Sequence, residues 1–277
     1  MLAAPLWQAL LLDPDRLVDE VCQLSGLEPM PAAKAAPSLA VNLHGRGPQS
    51  HRLLASLRPG AWVAFDCAEA GVAGPKWRAD EHERERWCRL VRICLAVAAD
   101  PDDVALTPPP VRPPVTDAVI IHPGAAYRSR QWAPERFGAL AAALRGDGQR
   151  IVVTGSEGER PLAAQVAESA GLPADAVLAG RTRIDELAAL VCAARLVVSG
   201  DTGVAHLAAA YWTPSVALFG PVSPRLWGPP MTGPHTVLWH GPGDGDPLAD
   251  VSDSALARVS VEEVLGAARD RLASASS

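Results

Sequence analysis

The stretch that decides the fold is Arg195–Pro230, which reads RLVVSGDTGVAHLAAAYWTPSVALFGPVSPRLWGPP. The pattern predicts a buried strand, a sharp turn, a helix and a second strand, at Leu196–Val198, Gly200–Gly203, Val204–Ala210 and Ser215–Phe219. Thr213-Pro214 ends the helix, because the residue before proline avoids the α region. A turn between the carboxyl end of a strand and a helix N-terminus is where open parallel sheets bind ligands, and its free N–H groups favour phosphate.

The same alternation of strand and helix extends in both directions from this stretch. Strands are predicted at Val119–His122, Arg150–Thr154, Ala176–Leu178, Arg195–Ser199, Ser215–Phe219 and Thr236–Trp239. Helices are predicted at Pro134–Arg145, Pro161–Ala170 and Asp185–Ala193, with Thr182-x-x-Asp185 as a capping-box-like start for the last one. Helices of about ten residues between strands imply right-handed crossovers and a parallel sheet.

A second α/β region precedes this one. We expect strands there at Leu39–Leu43 and Trp62–Cys67, and helices at Gln49–Leu57 and Asp80–Val97. The segment 100–117 has six prolines in eighteen residues, which suits a linker between domains. We therefore divide the chain into residues 1–99, the linker 100–117, residues 118–259, and a C-terminal helix and tail over residues 260–277, which opens at Ser260-x-x-Glu263.

Composition narrows the class of protein. The 277 residues are 48% hydrophobic and carry a net charge of −6, which argues against a broad nucleic-acid-binding surface. The five cysteines form no CxxC pair or ligand-spaced cluster, so we expect reduced thiols in a cytoplasmic protein. No signal peptide is visible, and no apolar run reaches the roughly 18 residues that span a bilayer.

The turn Asp201-Thr202-Gly203-x-x-His206 is the strongest candidate for a ligand site. Gly203 would let a diphosphate approach the backbone, while the N–H groups of Thr202 to Ala205, Val204 included, and the Thr202 hydroxyl could donate to phosphate oxygens. His206, one helical turn later, points back towards the same end. The alternative is a plain capped helix with a packed histidine.

The residues around this turn resemble the C-terminal signature of glycosyltransferase family 9, the heptosyltransferase family. The resemblance lies in Asp201-Thr202-Gly203, His206, Phe219-Gly220-Pro221 and Trp227-Gly228-Pro229, in that order. It covers roughly residues 39–265. It implies an α/β fold of the GT-B type, with two Rossmann-like domains and parallel sheets, in which the C-terminal domain binds the donor. Here the N-terminal domain is expected to be incomplete.

Two further stretches extend the resemblance to the donor site. His122–Ala126 with Arg130–Phe137 is similar to the family's first strand and loop, where a basic residue contacts donor phosphate. Arg130 occupies that place, and Arg128 is its competitor. The donor nucleoside is assigned to Gly155, Glu157 and Arg181, with Glu159 as the rival of Glu157 for the ribose. A solvated cation or a surface carboxylate are the alternatives.

In the N-terminal half, the resemblance implies acceptor contacts from His44, Gly45 and His51, with His82 a further candidate. The family opens with a strand and a Gly-Asp loop that bears the proposed general base, and this sequence has no such opening. Asp66, at the expected end of a strand, is the substitute base. Either the true start lies upstream of Met1, or the chain binds nucleotide without turnover.

The resemblance implies an inverting glycosyltransferase of cell-envelope polysaccharide biosynthesis. Such an enzyme moves a hexose or heptose from a nucleoside-diphosphate donor, ADP-heptose included, to a glycan or lipid-linked acceptor. A base deprotonates the acceptor, while Arg130 and His206 stabilise the departing diphosphate. We expect no cofactor, no metal, no nucleic-acid partner and a monomer; a lipid-linked acceptor would bring the enzyme near a membrane. An inactive nucleotide-sugar-binding protein and a nucleotide-sugar epimerase are the alternatives.

Overall fold

A computed structural model describes residues 1–5, 8, 10–11, 17–30 and 36–274. The chain divides into two compact units, Met1–Val104 and Ala105–Ser277. The division falls inside the segment 100–117 that the prolines single out, and the helix after residue 260 belongs to the second unit. The last three residues of the predicted tail lie outside the described residues.

The described residues of the first unit form two small parallel sheets. Strands β1 (Leu2–Ala4) and β2 (Val21–Gln23) form one of them, and β3 (Leu39–Val41) and β4 (Ala61–Val63) form the other. Two helices accompany the second sheet, α1 (Gln49–Ala55) and α2 (Glu83–Leu95). Val63, Phe65 and Leu90 are fully buried between β4 and α2, with Trp77 and Trp87 packed around them.

The second unit is built on one five-stranded parallel sheet of order β6-β5-β7-β8-β9. The strands are β5 (Ala118–His122), β6 (Arg150–Val153), β7 (Leu196–Gly200), β8 (Ser215–Phe219) and β9 (His235–Trp239). Every residue of β5, β7 and β8 is buried, as expected for strands that are covered on both faces. The regular alternation predicted from residue 118 onwards is confirmed, apart from the strand expected at Ala176–Leu178.

Helices flank and connect the strands of this sheet. They are α3 (Pro134–Gly146), α4 (Arg160–Ser169), α5 (Ile184–Cys192), α6 (Gly203–Ala210), α7 (Pro224–Trp227), α8 (Ser254–Arg258) and α9 (Val261–Ser274). One cluster of buried side chains joins β5, β6, β7 and β8 to α3, α4 and α9. The C-terminal helix is therefore part of the core of this unit, through Val264, Ala268 and Leu272.

Three local predictions differ from the structure. Ala176–Leu178 is a 3-10 turn followed by one parallel bridge between Val177 and Val153, because the segment is too short to add a strand. The α5 cap lies one residue later than predicted, where the Arg183 N–H donates to Glu186 Oε2 at 2.8 Å. Of the predicted strand Trp62–Cys67, only the part up to Val63 is regular strand. Beyond it, Gly74 packs against the chain so closely that a Cβ on Gly74 would lie 2.1 Å from the Ala64 carbonyl oxygen.

Candidate nucleotide-sugar site

The turn after β7 has the backbone that the sequence predicts. Thr202 is the N-cap of α6, with extended angles of φ −143° and ψ 171°, and its side chain makes no capping hydrogen bond. Its hydroxyl oxygen Oγ1 is buried and has no hydrogen-bond partner. A buried hydroxyl without a partner costs about 1–3 kcal/mol, so this atom is a strong candidate to donate to a ligand.

Gly203 follows at the first position of α6, where neither packing nor backbone conformation requires a glycine. A Cβ built on Gly203 would meet nothing within 4 Å, and its φ is not in the left-handed region. The first turn of the helix is therefore exposed to open space on this side. A ligand that approaches the N–H groups of Gly203 and Val204 would explain the absence of a side chain.

Asp201 and His206 face each other across this turn. His206 Nε2 lies 3.9 Å from Asp201 Oδ1, and the His206 side chain is half exposed whereas that of Asp201 is mostly buried. Burial raises the pKa of Asp201, and the positive charges of His206 and Arg130 lower it by a smaller amount. The imidazole thus lies in the first turns of the helix, with the Asp201 carboxylate close to it.

Arg130 lies next to the same turn, on a 3-10 turn formed by Arg128–Arg130 after β5. A Cβ on Gly200 would come within 2.8 Å of the Arg130 carbonyl oxygen, so glycine allows the two backbones to approach. The Arg130 guanidinium carbon lies 5.7 Å from the centre of the Tyr127 ring, and its Nε is buried without a partner. Trp132, buried two residues later, donates to the Val259 carbonyl oxygen at 3.0 Å and anchors this loop.

The three residues assigned to the nucleoside lie on neighbouring loops at the carboxyl end of β6. The Gly180 N–H donates to the Gly155 carbonyl oxygen at 2.9 Å, which places Arg181 beside Gly155. Gly180 has φ +67°, and a Cβ there would come within 1.9 Å of Glu157 Oε2. The Glu157 side chain is 71% exposed and pairs with Arg160, whose hydrogen bond lowers the pKa of that carboxyl.

Glu159, the rival of Glu157, serves the local fold instead. Its Oε2 accepts hydrogen bonds from the N–H and the hydroxyl of Ser156 at 2.7 and 2.8 Å, in a capping box. Its Oε1 lies over Gly124, where a Cβ would come within 2.1 Å of it. The Glu157 carboxylate, by contrast, is largely exposed and is paired with Arg160.

Sequence reasoning assigned no role to two buried polar residues that lie at this edge of the sheet. His122 ends β5, and its Nδ1 lies 2.9 Å from the Thr154 hydroxyl; burial lowers the pKa of this imidazole. Ser129, between the two candidate arginines, is 2% exposed, and its hydroxyl oxygen has no partner. Only the position of Ser129 between Arg128 and Arg130 could have drawn attention to it in the sequence.

In the first unit, His51 serves the fold. It is fully buried, its Nε2 donates to the Phe65 carbonyl oxygen at 2.9 Å, and its Nδ1 accepts from the Asn42 amide at 3.1 Å. Both ring nitrogens are thus engaged, so a contact with an acceptor would require the ring to leave these partners.

The other candidates of the first unit lie on loops at the carboxyl ends of β3 and β4. His44 is exposed, and its N–H donates to Asn42 Oδ1 at 3.0 Å; Gly45 has φ +125°, which favours glycine. Asp66 is only partly exposed and forms a 2.6 Å ion pair with Lys76, whose side chain is 81% exposed.

The described part of the chain has neither a metal-binding cluster nor a membrane-spanning helix. It holds no group of three or more histidine, cysteine or acidic residues arranged to bind a metal ion. It also holds no helix with the length and hydropathy that crossing a membrane requires.

The sequence profile of glycosyltransferase family 9 (heptosyltransferase) matches residues 93–243, more than half of the chain. The chain belongs to this family. The match contains Arg130, Glu157 and the turn from Asp201 to His206, so the candidate donor site lies within the family's shared region. The resemblance on which the sequence interpretation rested is confirmed.

Curated relatives agree with this assignment. Lipopolysaccharide heptosyltransferase 3 of Escherichia coli is 34% identical over 113 residues, which are 40% of this chain and 33% of that protein. Lipooligosaccharide heptosyltransferase 2 of Haemophilus influenzae is 30% identical over 122 residues, which are 42% of this chain and 34% of that protein. The match thus spans about a third of the length of these curated relatives.

Solved structures of family 9 proteins share the fold. The chain superposes on ADP-heptose lipopolysaccharide heptosyltransferase II of E. coli with a TM-score of 0.74 and 19% identity, over 99% of this chain and 89% of that one. For a family 9 protein of Veillonella parvula, the TM-score is 0.76 and the identity 17%, over 98% and 87% of the two chains. The predicted GT-B fold class, with its parallel sheets, is confirmed.

Proposed function

We propose that this family 9 chain is an inverting glycosyltransferase whose second unit holds a nucleoside-diphosphate sugar. The observation that carries the proposal is a group of buried polar atoms without partners, Ser129 Oγ, Arg130 Nε and Thr202 Oγ1. They lie in two segments that meet at Gly200, beside the N-terminus of α6. Phosphate oxygens would satisfy such donors with charge-assisted hydrogen bonds.

In the proposed reaction, an acceptor hydroxyl oxygen attacks the anomeric carbon while the bond from that carbon to the diphosphate oxygen breaks. Arg130, His206 and the N–H groups of Gly203 and Val204 offset the negative charge that develops on the leaving diphosphate. Attack opposite to the leaving group inverts the anomeric centre. The acceptor proton passes to a carboxylate of the first unit, for which Asp66 is the candidate.

For the nucleoside, we propose that Glu157 accepts hydrogen bonds from the ribose hydroxyls, with the loops at Gly155 and Arg181 beside the base. A carboxylate can accept from two hydroxyl groups at once, and the Glu157 side chain projects into solvent. A heptose is the expected sugar, since the matched relatives bear the name heptosyltransferase. ADP is the expected nucleotide, since the structurally similar E. coli heptosyltransferase WaaC (TM-score 0.65) was solved with ADP.

The acceptor belongs to the first unit in this proposal, with His44 and Gly45 as contacts. A glycan or lipid-linked acceptor of the cell envelope would fit relatives named for lipopolysaccharide and lipooligosaccharide. We place the protein in the cytoplasm, because all five cysteines are free thiols, which suits a reducing compartment.

A nucleotide-sugar-binding protein without turnover is the second candidate. One observation favours it: Asp66, the candidate base, is held by Lys76 at 2.6 Å. The two proposals share the donor site and differ only in the first unit. Formation of a glycosylated acceptor therefore distinguishes the transferase from the binding protein.

Calorimetric titration with ADP, UDP and GDP tests the donor site. We expect ADP to bind best, and Thr202→Val to weaken binding about tenfold, the scale of a lost hydrogen bond to a charged group. Thr232→Val, at an exposed threonine of the same unit, is the matched control. Absence of binding by all three nucleotides would exclude the site.

Release of ADP from an ADP-heptose donor, with and without candidate acceptor glycans, tests turnover. Acceptor-dependent release of ADP, lost in Asp66→Asn, supports the transferase with Asp66 as base. Tight nucleotide binding without release under any condition supports the second candidate.

A further inference from the structure

The segment 241–249, which we call the strap, follows β9 and consists of bends, one bridge residue (Asp244) and a turn at Pro247-Leu248. Its burial alternates strictly: odd-numbered residues are half-buried and even-numbered residues exposed. The inward residues are all small or compact, namely Gly241, Gly243, Gly245, Pro247 and Ala249. A segment whose inward face carries no bulky side chain can lie close against another backbone.

The surface beneath the strap is the loop that follows β8. The Gly245 N–H donates to the Pro221 carbonyl oxygen at 3.1 Å, and Asp244 forms an antiparallel bridge with Val222. A Cβ on Gly245 would come within 2.8 Å of the Pro221 Cβ and within 2.9 Å of Asp253 Oδ2. Only glycine therefore permits this separation, because the proline ring cannot move aside as a flexible side chain can.

The far end of the strap reaches the turn that bears Arg130. The Ala249 carbonyl oxygen accepts from the Ser129 N–H at 3.1 Å, and Asp246 forms the turn before it by accepting from the Leu248 N–H at 2.8 Å. The strap thus joins the loop after β8 to the 3-10 turn after β5, two strands that are not neighbours in the sheet. The Arg130 backbone lies between this contact and Gly200.

We propose that the strap is a positioning element for Arg130, acting through the hydrogen bond from Ser129 to Ala249. The strap touches no ligand in this account; it sets where the guanidinium lies relative to the N-terminus of α6. A guanidinium displaced by about 1 Å would lose alignment with a diphosphate, since such bonds depend steeply on geometry. The inference rests on the proposed donor site.

A double-mutant cycle on ADP binding tests the proposal. Gly245→Ala lifts the strap from Pro221, and we expect roughly tenfold weaker ADP binding. AMP binding should change less than about twofold, because Arg130 is proposed to contact the diphosphate, which AMP lacks. In an Arg130→Ala background, the same substitution should change ADP affinity less than about twofold. Gly266→Ala, where a Cβ meets nothing within 4 Å, is the matched control.

A second pair of variants covers the case in which Gly245→Ala fails to fold. Asp246→Ala removes the acceptor that forms the turn and should weaken ADP binding, whereas Asp246→Asn keeps that acceptor and should restore it. The inference would be overturned if Gly245→Ala reduced ADP affinity equally in the presence and absence of Arg130. It would also be overturned if ADP affinity were unchanged in both Gly245→Ala and Asp246→Ala. If the wild-type chain does not bind ADP, the proposed function itself fails, and the inference fails with it.

Discussion

Asp201 is the residue whose charge is least well accommodated in the candidate site. Its carboxyl is largely buried at the carboxyl end of β7, and the neighbouring His206 and Arg130 only partly offset the loss of hydration. The net result is a raised pKa, so the ionised form is destabilised in the folded protein. A bound diphosphate would add further negative charge close by, which makes the protonation state of Asp201 relevant to donor binding.

Replacement of Asp201 by asparagine should therefore raise the melting temperature at pH 7. A carboxyl whose folded-state pKa is raised loses stability as the pH rises from its unfolded value near 3.8 through the folded value. The gain from Asp201→Asn should shrink as the pH is lowered and disappear below about pH 3.8, where both forms are neutral. Calorimetric scans from pH 3 to 8 measure it, and a lower melting temperature at pH 7 would contradict it.

Arg130 is the candidate phosphate contact, and a lysine in its place would not be equivalent. The guanidinium presents a planar fork of donors, whereas an ammonium is a point charge. We expect Arg130→Lys to weaken ADP binding by about threefold to tenfold and Arg130→Ala by more, since bidentate contacts to phosphate are lost in both. Arg128→Ala, at the exposed neighbouring arginine, is the matched control in calorimetric titration. A larger loss from Arg128→Ala would make Arg128 the phosphate ligand.

At the scale of elements, helices α3 and α4 pack closely because a glycine lies at their contact. A Cβ on Gly138 would come within 1.9 Å of Ser169 Oγ and 2.9 Å of the Ser169 Cβ. The close approach buries Leu140, Leu144 and Val166 against the sheet. Gly266, on the C-terminal helix α9, has no neighbour within 4 Å of the same position, so the chain offers two helical glycines in opposite environments.

Alanine substitutions at these two glycines should have opposite effects on stability. Gly138→Ala forces α3 and α4 apart and should lower the free energy of unfolding by about 1–3 kcal/mol. Gly266→Ala only improves helix propensity and should raise it by about 0.5–1 kcal/mol. Urea titrations measure both, and equal effects at the two sites would refute the packing argument.

At the scale of the whole molecule, two histidines of the second unit make stability depend on pH. Burial lowers the pKa of His122, at the carboxyl end of β5, and the nearby Glu159 opposes this only in part. His235, at the start of β9, has a pKa of about 4, mainly because of burial and also because of Arg271. Both rings stay neutral in the folded chain at pH values where an unfolded histidine already binds a proton.

The melting temperature should accordingly fall as the pH is lowered from about 6.5 to 4. A histidine with a lowered folded-state pKa contributes its full stability above the unfolded value and loses it as the pH falls. For His235, which is partly exposed, we expect a loss of about 1–2 kcal/mol by pH 4, after allowance for screening by solvent. His235→Asn should make this slope shallower, with His44→Asn as the matched control. An unchanged slope in His235→Asn would contradict the assignment.

Much of the second unit follows from the sequence, whereas less of the first does. The strand of Leu196–Gly200 and the helix after it are encoded locally, by a β-branched run, glycines and a proline. The capping pair at Ser260 and Glu263 is likewise local, and its reciprocal hydrogen bonds are present. Ala176–Leu178 resembles a strand only by composition; whether such a segment joins a sheet depends on neighbours that the pattern does not specify.

For the site, the sequence by itself determined which residue types stand at the carboxyl ends of the strands. One is the turn with Asp201, Thr202, Gly203 and His206, and the other is Arg130, two residues before a buried tryptophan. Strand direction and turn chemistry are short-range properties, so they can be read along the chain. Only the tertiary structure decided that the Arg130 carbonyl oxygen lies close to Gly200 and that His51 is buried. It also decided that Glu159 caps a turn while Glu157 projects into solvent. These outcomes depend on contacts between segments far apart in sequence, whose distances are set by packing of the whole sheet.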